Sequence, residues 1–324
     1  MLARRVAGAA TVAMCAALAA PASPPSARRP SLPRSALTID GPGTRGPWWR
    51  ADRAPTRWAG PLPGVAGAVA WQPVADGIDW GTLRLAGTGE AWRLRVILVR
   101  LDPRRVRVRL DTAFTRPGMA AAWTIARAPR DAAVAVNAGQ FVGSMPWGWV
   151  VLDGRVFLSP GHGPLSTAVL IDSTGRFQWV DGDGVARAAQ SGALPRFAFQ
   201  SYPTLLTGDG DVPMPLRAPV PGGVDLAHRD ARLALGELRD GRVIIALTRF
   251  DALDGSMDFV PFGLTTPEMA AVMGALGCRR AVALDGGISS QLMLRGPRGE
   301  VHAWRGLRKV PLALVATPRV TTGP

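Results

Sequence analysis

Cysteine, histidine, lysine and tyrosine are scarce in this 324-residue chain, which has two Cys, three His, a single Lys and a single Tyr. Each scarcity excludes something. Cys15 lies in the leading apolar run, so removal of that run leaves only Cys278, and neither an intramolecular disulfide nor a thiolate metal centre can form. His162, His228 and His302 are few for a zinc site. No Gly-x-Ser-x-Gly elbow, phosphate-binding loop or His-Glu-x-x-His segment occurs, and there is no internal repeat. The uncharged run from Val6 to Ala20 is short for a membrane span.

That run has the layout of a signal peptide. Arg4 and Arg5 precede it, and Ala20-Pro21-Ala22 offers a small-x-small cleavage site, so residues 1–22 are expected to be removed. Met14 stands where a lipoprotein signal would place a small residue before Cys15, which favours cleavage over lipid anchoring. A secreted or periplasmic protein with no stable membrane insertion is expected. The net charge of +14 suggests nucleic acid until it is located: residues 1–60 hold nine Arg and two Asp, and nearly all remaining cations are arginine. We read this as a coding bias, with no nucleic-acid partner, although an anionic substrate is attracted either way.

Residues 23–63 are rich in Pro, Arg, Ser and Gly without an apolar period, which predicts a disordered linker ahead of a domain at 64–324. Trp48, Trp49 and Trp58 within it either dock on the domain or punctuate the linker. Beyond it, Arg105–Leu110 alternates as a half-buried strand, a helix is expected from Ala120 to Ala128, and Ala132–Val136 is the next strand. Hairpins are expected about Asp153-Gly154, Ser173-Thr174-Gly175 and Arg239-Asp240-Gly241-Arg242. Many strands with two or three helices argue an α+β fold built on a strand-rich mixed sheet.

The chemistry concentrates late in the chain. Thr265 and Glu268 form a capping box, an apolar helix follows, and the buried strand Ala281–Leu284 delivers Asp285 into the turn Gly286-Gly287-Ile288-Ser289-Ser290. A carboxylate at a strand end is presented at the rim of a sheet. Gly286 and Gly287 can expose amides to an anion. The bland reading of Asp285 is an acid that accepts amides from its own turn. Asp181-Gly182-Asp183-Gly184 and Asp209-Gly210-Asp211 hint at calcium but match no EF-hand spacing, so polar turns are expected there.

This segment resembles the core motif of the phosphodiester glycosidase family, which ends in Asp-Gly-Gly-Gly-Ser-Ser. Three further blocks follow the family's order: Asn137-Ala138-Gly139-Gln140-Phe141, Tyr202-Pro203-Thr204-Leu205-Leu206, and Arg232-Leu233-Ala234-Leu235-Gly236. The resemblance covers about residues 90–317 and implies a phosphodiester glycosidase-like fold. It implies hydrolysis of the C–O bond of a sugar-1-phosphodiester in an exported or cell-envelope glycan, with Asp285 acting at or near C1. Substrate binding would fall to Asn137, Gly139, Arg232, Gly286, Gly287, Ser289 and Ser290. Arg232 would grip the phosphodiester bidentately, with Arg229 as its alternative. Glu268 has two readings, a capping-box glutamate or a second catalytic carboxylate. Trp147 and Trp149 either stack on a sugar ring or pack. Ile288 and Gln140 depart from the motif, which keeps two rival functions open: a non-catalytic exopolysaccharide-binding or assembly protein, and a phosphodiesterase cleaving P–O. No cofactor is implied, and a divalent cation is left open.

Overall fold

The strand Val243–Phe250, with the sequence VIIALTRF, has all eight of its residues buried. Such a strand needs apolar partners on both faces of its sheet. In the computed structural model, which describes residues 35–40, 46–112, 122–252 and 257–319, it has them. Ile244, Ala246 and Phe250 join one core with Met269, Val272 and Met273 of the helix Thr266–Ala275. Val243, Ile245 and Leu247 join a second core with Val134, Val136, Leu292 and Leu314.

The central sheet has nine strands. Its order runs Thr204–Leu206, Cys278–Ala283, Leu233–Leu238, Val243–Phe250, Leu94–Leu101, Ile78–Gly87, Ala36–Ile39 and Trp49–Arg50, with Gln72–Ala75 paired to Ile78–Gly87. Two five-stranded sheets contribute to the second core. One orders Val301–Trp304, Leu292–Arg295, Val134–Asn137, Leu312–Pro318 and Val106–Thr112; the other is centred on Phe197–Ser201. The three α-helices among the described residues, Pro63–Ala66, Gly184–Gln190 and Thr266–Ala275, are a minor part. The expected α+β label therefore fits only roughly, because the described fold is mostly β. The expected mixed sheet is also corrected: the strand pairings among the described residues are antiparallel.

The hairpins form where the turn residues demand. Asp153 and Gly154 both have positive φ, 45° and 75°, the backbone that a two-residue hairpin requires. Of the helix expected at 120–128, residues to 121 lie outside the described part. Trp123 instead bridges Val310 and a 3₁₀ turn spans Ile125–Arg127.

The expected linker is corrected as well. The signal peptide at 1–22 and residues 23–34 and 41–45 of the linker lie outside the described residues, but residues 35–40 and 46–63 are built into the fold. Ala36–Ile39 joins the central sheet against Ile78–Gly87. Leu37, Trp49 and Trp58 are buried in the core beside the helix, so the tryptophans dock. Trp58 seats on Gly274, where a Cβ would collide with the indole ring. A four-residue strand, an adjacent Trp pair and one more Trp carry no periodicity for a sequence reading to find.

Candidate active site

The strand Cys278–Ala283 lies between Thr204–Leu206 and Leu233–Leu238, so the chain leaving it at Leu284 emerges beside the start of its neighbour. The Leu284 amide donates to the Leu233 carbonyl at 2.8 Å, and the Asp285 amide to the Ala138 carbonyl at 3.1 Å. Asn137 closes the junction between the two sheets. Its Nδ2 donates to the Asp285 carbonyl at 2.7 Å, and its Oδ1 accepts the Gln291 amide at 2.8 Å. Buried completely, it ties both ends of the Asp285–Gln291 turn together.

Both glycines of the turn are needed for close approach. A Cβ on Gly286 would lie 2.7 Å from the Ala231 carbonyl oxygen. Gly287 has φ +59°, donates its amide to that same carbonyl at 2.6 Å, and leaves room for a carboxylate: a Cβ there would lie 2.6 Å from Asp230 Oδ2. The turn thus brings Asp230 beside Asp285, a pairing that sequence reading missed.

Asp285 Oδ2 is buried and has no protein hydrogen-bond partner. Burial pushes the carboxyl up to about 6; Ser289 and the charge of Arg308 pull it down, and Asp230 adds to the rise. Asp230 is also raised, first by burial, against the Ala231 amide, Arg232 and His228. His228 Nε2 lies 3.7 Å from Asp230 Oδ2. Arg308 packs over the Phe141 ring at 4.5 Å. The signal for Asp230 was its place two residues before Arg232; Arg308 had none in a chain so rich in arginine.

The two serines differ in placement. Ser289 acts on Asp285, whereas the Ser290 hydroxyl is buried without a protein partner and its carbonyl accepts Arg249 Nη2 at 2.6 Å. Gln291 continues the framework, accepting the Ile125 amide at 2.9 Å.

Of the two readings of Glu268, the capping box is the one present. Its Oε2 accepts the Thr265 amide at 2.8 Å, and its amide is capped by Thr265 Oγ1. Arg229 grips the carboxylate bidentately at 2.6 and 2.7 Å, and the Ser35 hydroxyl donates to Oε1. With 0 % exposure and both oxygens engaged, this carboxylate offers no oxygen to a substrate, which corrects the catalytic reading.

The same pair settles which arginine is free to serve. Arg229 belongs to Glu268, while Arg232 lines a cavity of about 610 Å³ with Gln140, Trp147, His162, Tyr202 and Asp225. Burial lowers the Arg232 guanidinium from its ordinary value. Its Nε donates to the Leu264 carbonyl at 2.8 Å and its Nη2 to the His228 carbonyl at 2.6 Å. The Nη1 hydrogens and the second Nη2 hydrogen are left for a ligand, so a grip through the two terminal nitrogens stays open while the Nε edge is taken.

The cavity wall is fixed by Gln140. Its Oε1 accepts Ser201 Oγ at 2.6 Å and the Tyr202 amide at 2.9 Å, while Nε2 donates to the carbonyls of Tyr202 and, at 3.2 Å, Leu284. That last bond reaches the residue before Asp285, which is not itself among the residues lining this cavity. Gly139 is pressed against the Gln200 backbone, where no side chain fits, so its place is structural. The two tryptophans separate: Trp149 is fully buried, and Trp147 meets Tyr202 edge to face at 4.8 Å on the cavity wall. Among the described residues no group of His, Cys, Asp and Glu is placed to hold a metal. Of the calcium hints, Asp209 and Asp211 lie 3.7 Å from Arg57, and Asp181 accepts Thr167 Oγ1 at 2.6 Å.

The pattern of the phosphodiester glycosidases matches residues 130–317, a span that holds Asn137, Asp230, Arg232 and Asp285. The chain belongs to the phosphodiester glycosidase family. Its fold is similar to the catalytic domain of zebrafish N-acetylglucosamine-1-phosphodiester alpha-N-acetylglucosaminidase, auto-inhibited by pro-peptide, at 17% identity and a TM-score of 0.55 over 82% of this chain and 92% of that one. A Burkholderia pseudomallei protein shares the fold at 16% identity and a TM-score of 0.51, over 82% of this chain and 100% of that one. A hypothetical protein from Synechocystis aligns at 17% identity and a TM-score of 0.49, and the match covers 78% of this chain and 64% of that one. No curated protein matches the sequence.

Proposed function

We propose that this protein hydrolyses a sugar-1-phosphodiester at the glycosidic C–O bond, in an exported or cell-envelope glycan. The observation that carries the reading is Asp285: a buried carboxyl oxygen without a protein partner, beside a second carboxylate, in the family's glycine turn. A structural Asp in such a turn accepts its own amides; this one does not.

The departing group is a phosphate monoester, which leaves without strong acid assistance. What the site supplies is charge recognition and a carboxylate at the anomeric carbon. Arg232 on the cavity wall and Arg308, whose charge acts on Asp285, would meet the phosphate. Ionised Asp285 acts at C1, and Asp230, within reach of His228, carries the proton taken from water. The C1–O bond breaks, the bridging oxygen leaves with the phosphate, and the water oxygen ends on the sugar. The zebrafish enzyme's name makes an N-acetylglucosamine-1-phosphodiester the first substrate to try.

The test is release of free sugar and phosphate monoester from α- and β-linked sugar-1-phosphodiesters in ¹⁸O-water. Label in the sugar, lost with Asp285→Asn, is expected. Label in the phosphate would mean P–O cleavage, and silence from the folded protein on every substrate would overturn the proposal in favour of a binding protein.

A further inference from the structure

We infer that the substrate carries an apolar aglycone, an alkyl chain beyond its phosphate, and that this chain lies on a rim of exposed hydrophobic side chains around Asp285. The inference rests on the sugar-phosphodiester reading above, but its test does not require turnover. Single exposed hydrophobics are ordinary on a protein surface; a cluster beside a site is not. Here segments distant in sequence assemble one. Trp92 and Phe262 pack edge to face against Phe250, each at 5.4 Å, yet remain 54% and 38% exposed.

The backbone places this group at the site. Ala231 donates its amide to the Pro261 carbonyl at 2.7 Å, and its carbonyl accepts the Gly287 amide at 2.6 Å. Phe262 and Ile288 therefore follow on either side of the segment that carries Asp230. The Leu307 amide in turn donates to the Ile288 carbonyl at 2.7 Å, and Ile288 and Leu307 are 47% and 67% exposed. Ile288 stands where the family motif has its third glycine.

Charge completes the pattern. Arg305, Arg308 and Lys309 are exposed on the same loop as Leu307, and Arg308 already acts on Asp285. The acidic neighbour on the 257–262 segment, Asp258, faces the buried Arg249. Cations next to an apolar rim match an amphiphilic phosphodiester, with its phosphate at the arginines and its chain along Trp92, Phe262, Ile288 and Leu307. A free polar phosphodiester would use only the cations.

The test compares octyl phosphate with methyl phosphate, each titrated below its micelle concentration into the full chain by calorimetry. Octyl phosphate should bind at least about tenfold more tightly, since burying two methylenes suffices for that gain. Phe262→Ser combined with Leu307→Ser should bring it to the methyl level; the most exposed change, Leu307→Ser, serves alone if the pair does not fold. Equal affinities, a gain that survives the changes, or no binding of either phosphate overturns the inference. Self-association abolished by the same changes, with equal affinities, assigns the rim to a second copy and overturns it too. Octyl preference without hydrolysis of any α- or β-linked sugar-1-phosphodiester, octyl esters included, sinks the catalytic reading and leaves the rim standing; hydrolysis with equal affinities does the reverse.

Discussion

Asn137 holds Asp285 by its backbone, donating Nδ2 to the Asp285 carbonyl at 2.7 Å while its Oδ1 takes the Gln291 amide at 2.8 Å. Asn137→Ala removes both bonds from a fully buried position. It should cost about 1–3 kcal/mol in urea denaturation and lower sugar release per folded molecule. Full release from a less stable variant would show that the turn holds its geometry without the amide.

The Asp285 carboxyl gives a signed pH dependence. Its folded value, about 6, lies above the ordinary 3.8, so the folded state binds the proton more tightly. Ionisation then costs stability progressively as pH rises from about 4 to 6, by on the order of 2–3 kcal/mol in full. Asp285→Asn should be more stable than the parent at pH 7.5, with the gap closing at pH 4, as read by melting temperature. A gap that is constant with pH would contradict burial of the carboxyl and its free Oδ2.

Activity should report the same ionisation. Sugar release is expected to rise as pH passes through about 6, because the acting form of Asp285 is the carboxylate. Removing the neighbouring like charge with Asp230→Asn should move the Asp285 titration to lower pH, followed by carboxyl NMR if the variant is inactive. An unmoved titration would place the two acids too far apart to couple.

Glu268 should behave as a structural residue. Glu268→Ala leaves the partly buried Arg229 without its partner and Arg229→Ala leaves the fully buried Glu268 without its own, so each should destabilise, the second by about 3–5 kcal/mol. Release per folded molecule is expected to persist in both. The opposite result, normal stability with release abolished, would restore the catalytic reading.

Arg232→Lys separates binding from chemistry. Lysine cannot reproduce the two carbonyl bonds of the guanidinium while also meeting a phosphate, so KM for a phosphodiester should rise by about tenfold with a smaller change in kcat. A fall in kcat alone would mean that Arg232 meets the charge only as the bond breaks.

What the sequence made legible was local. Thr265 and Glu268 signalled the helix start because a capping box is completed within four residues, and Asp285 was exposed as a strand-end acid by its own apolar run. What stayed hidden depends on packing across the chain. Asp230 looks like any acid among arginines until Gly287 opens the space beside it. Glu268 was given a catalytic option because nothing nearby in sequence shows that Arg229 and Ser35 close over it. The central sheet reads as mixed only because strand order is invisible before pairing; Cys278–Ala283 lies antiparallel to both neighbours.

The strand at Ala36–Ile39 and the hydroxyl of Ser35 have a consequence for the order of assembly. Ser35 meets Glu268 across 233 positions of chain, and Trp58 seats on Gly274 of the same helix. Ser35 and Trp58 therefore have no finished binding place until the helix at Thr266–Ala275 has been made. Vectorial synthesis separates these residues from their docking helix by most of the chain, and a chain interrupted before residue 266 leaves Ser35 without Glu268 and Trp58 without Gly274.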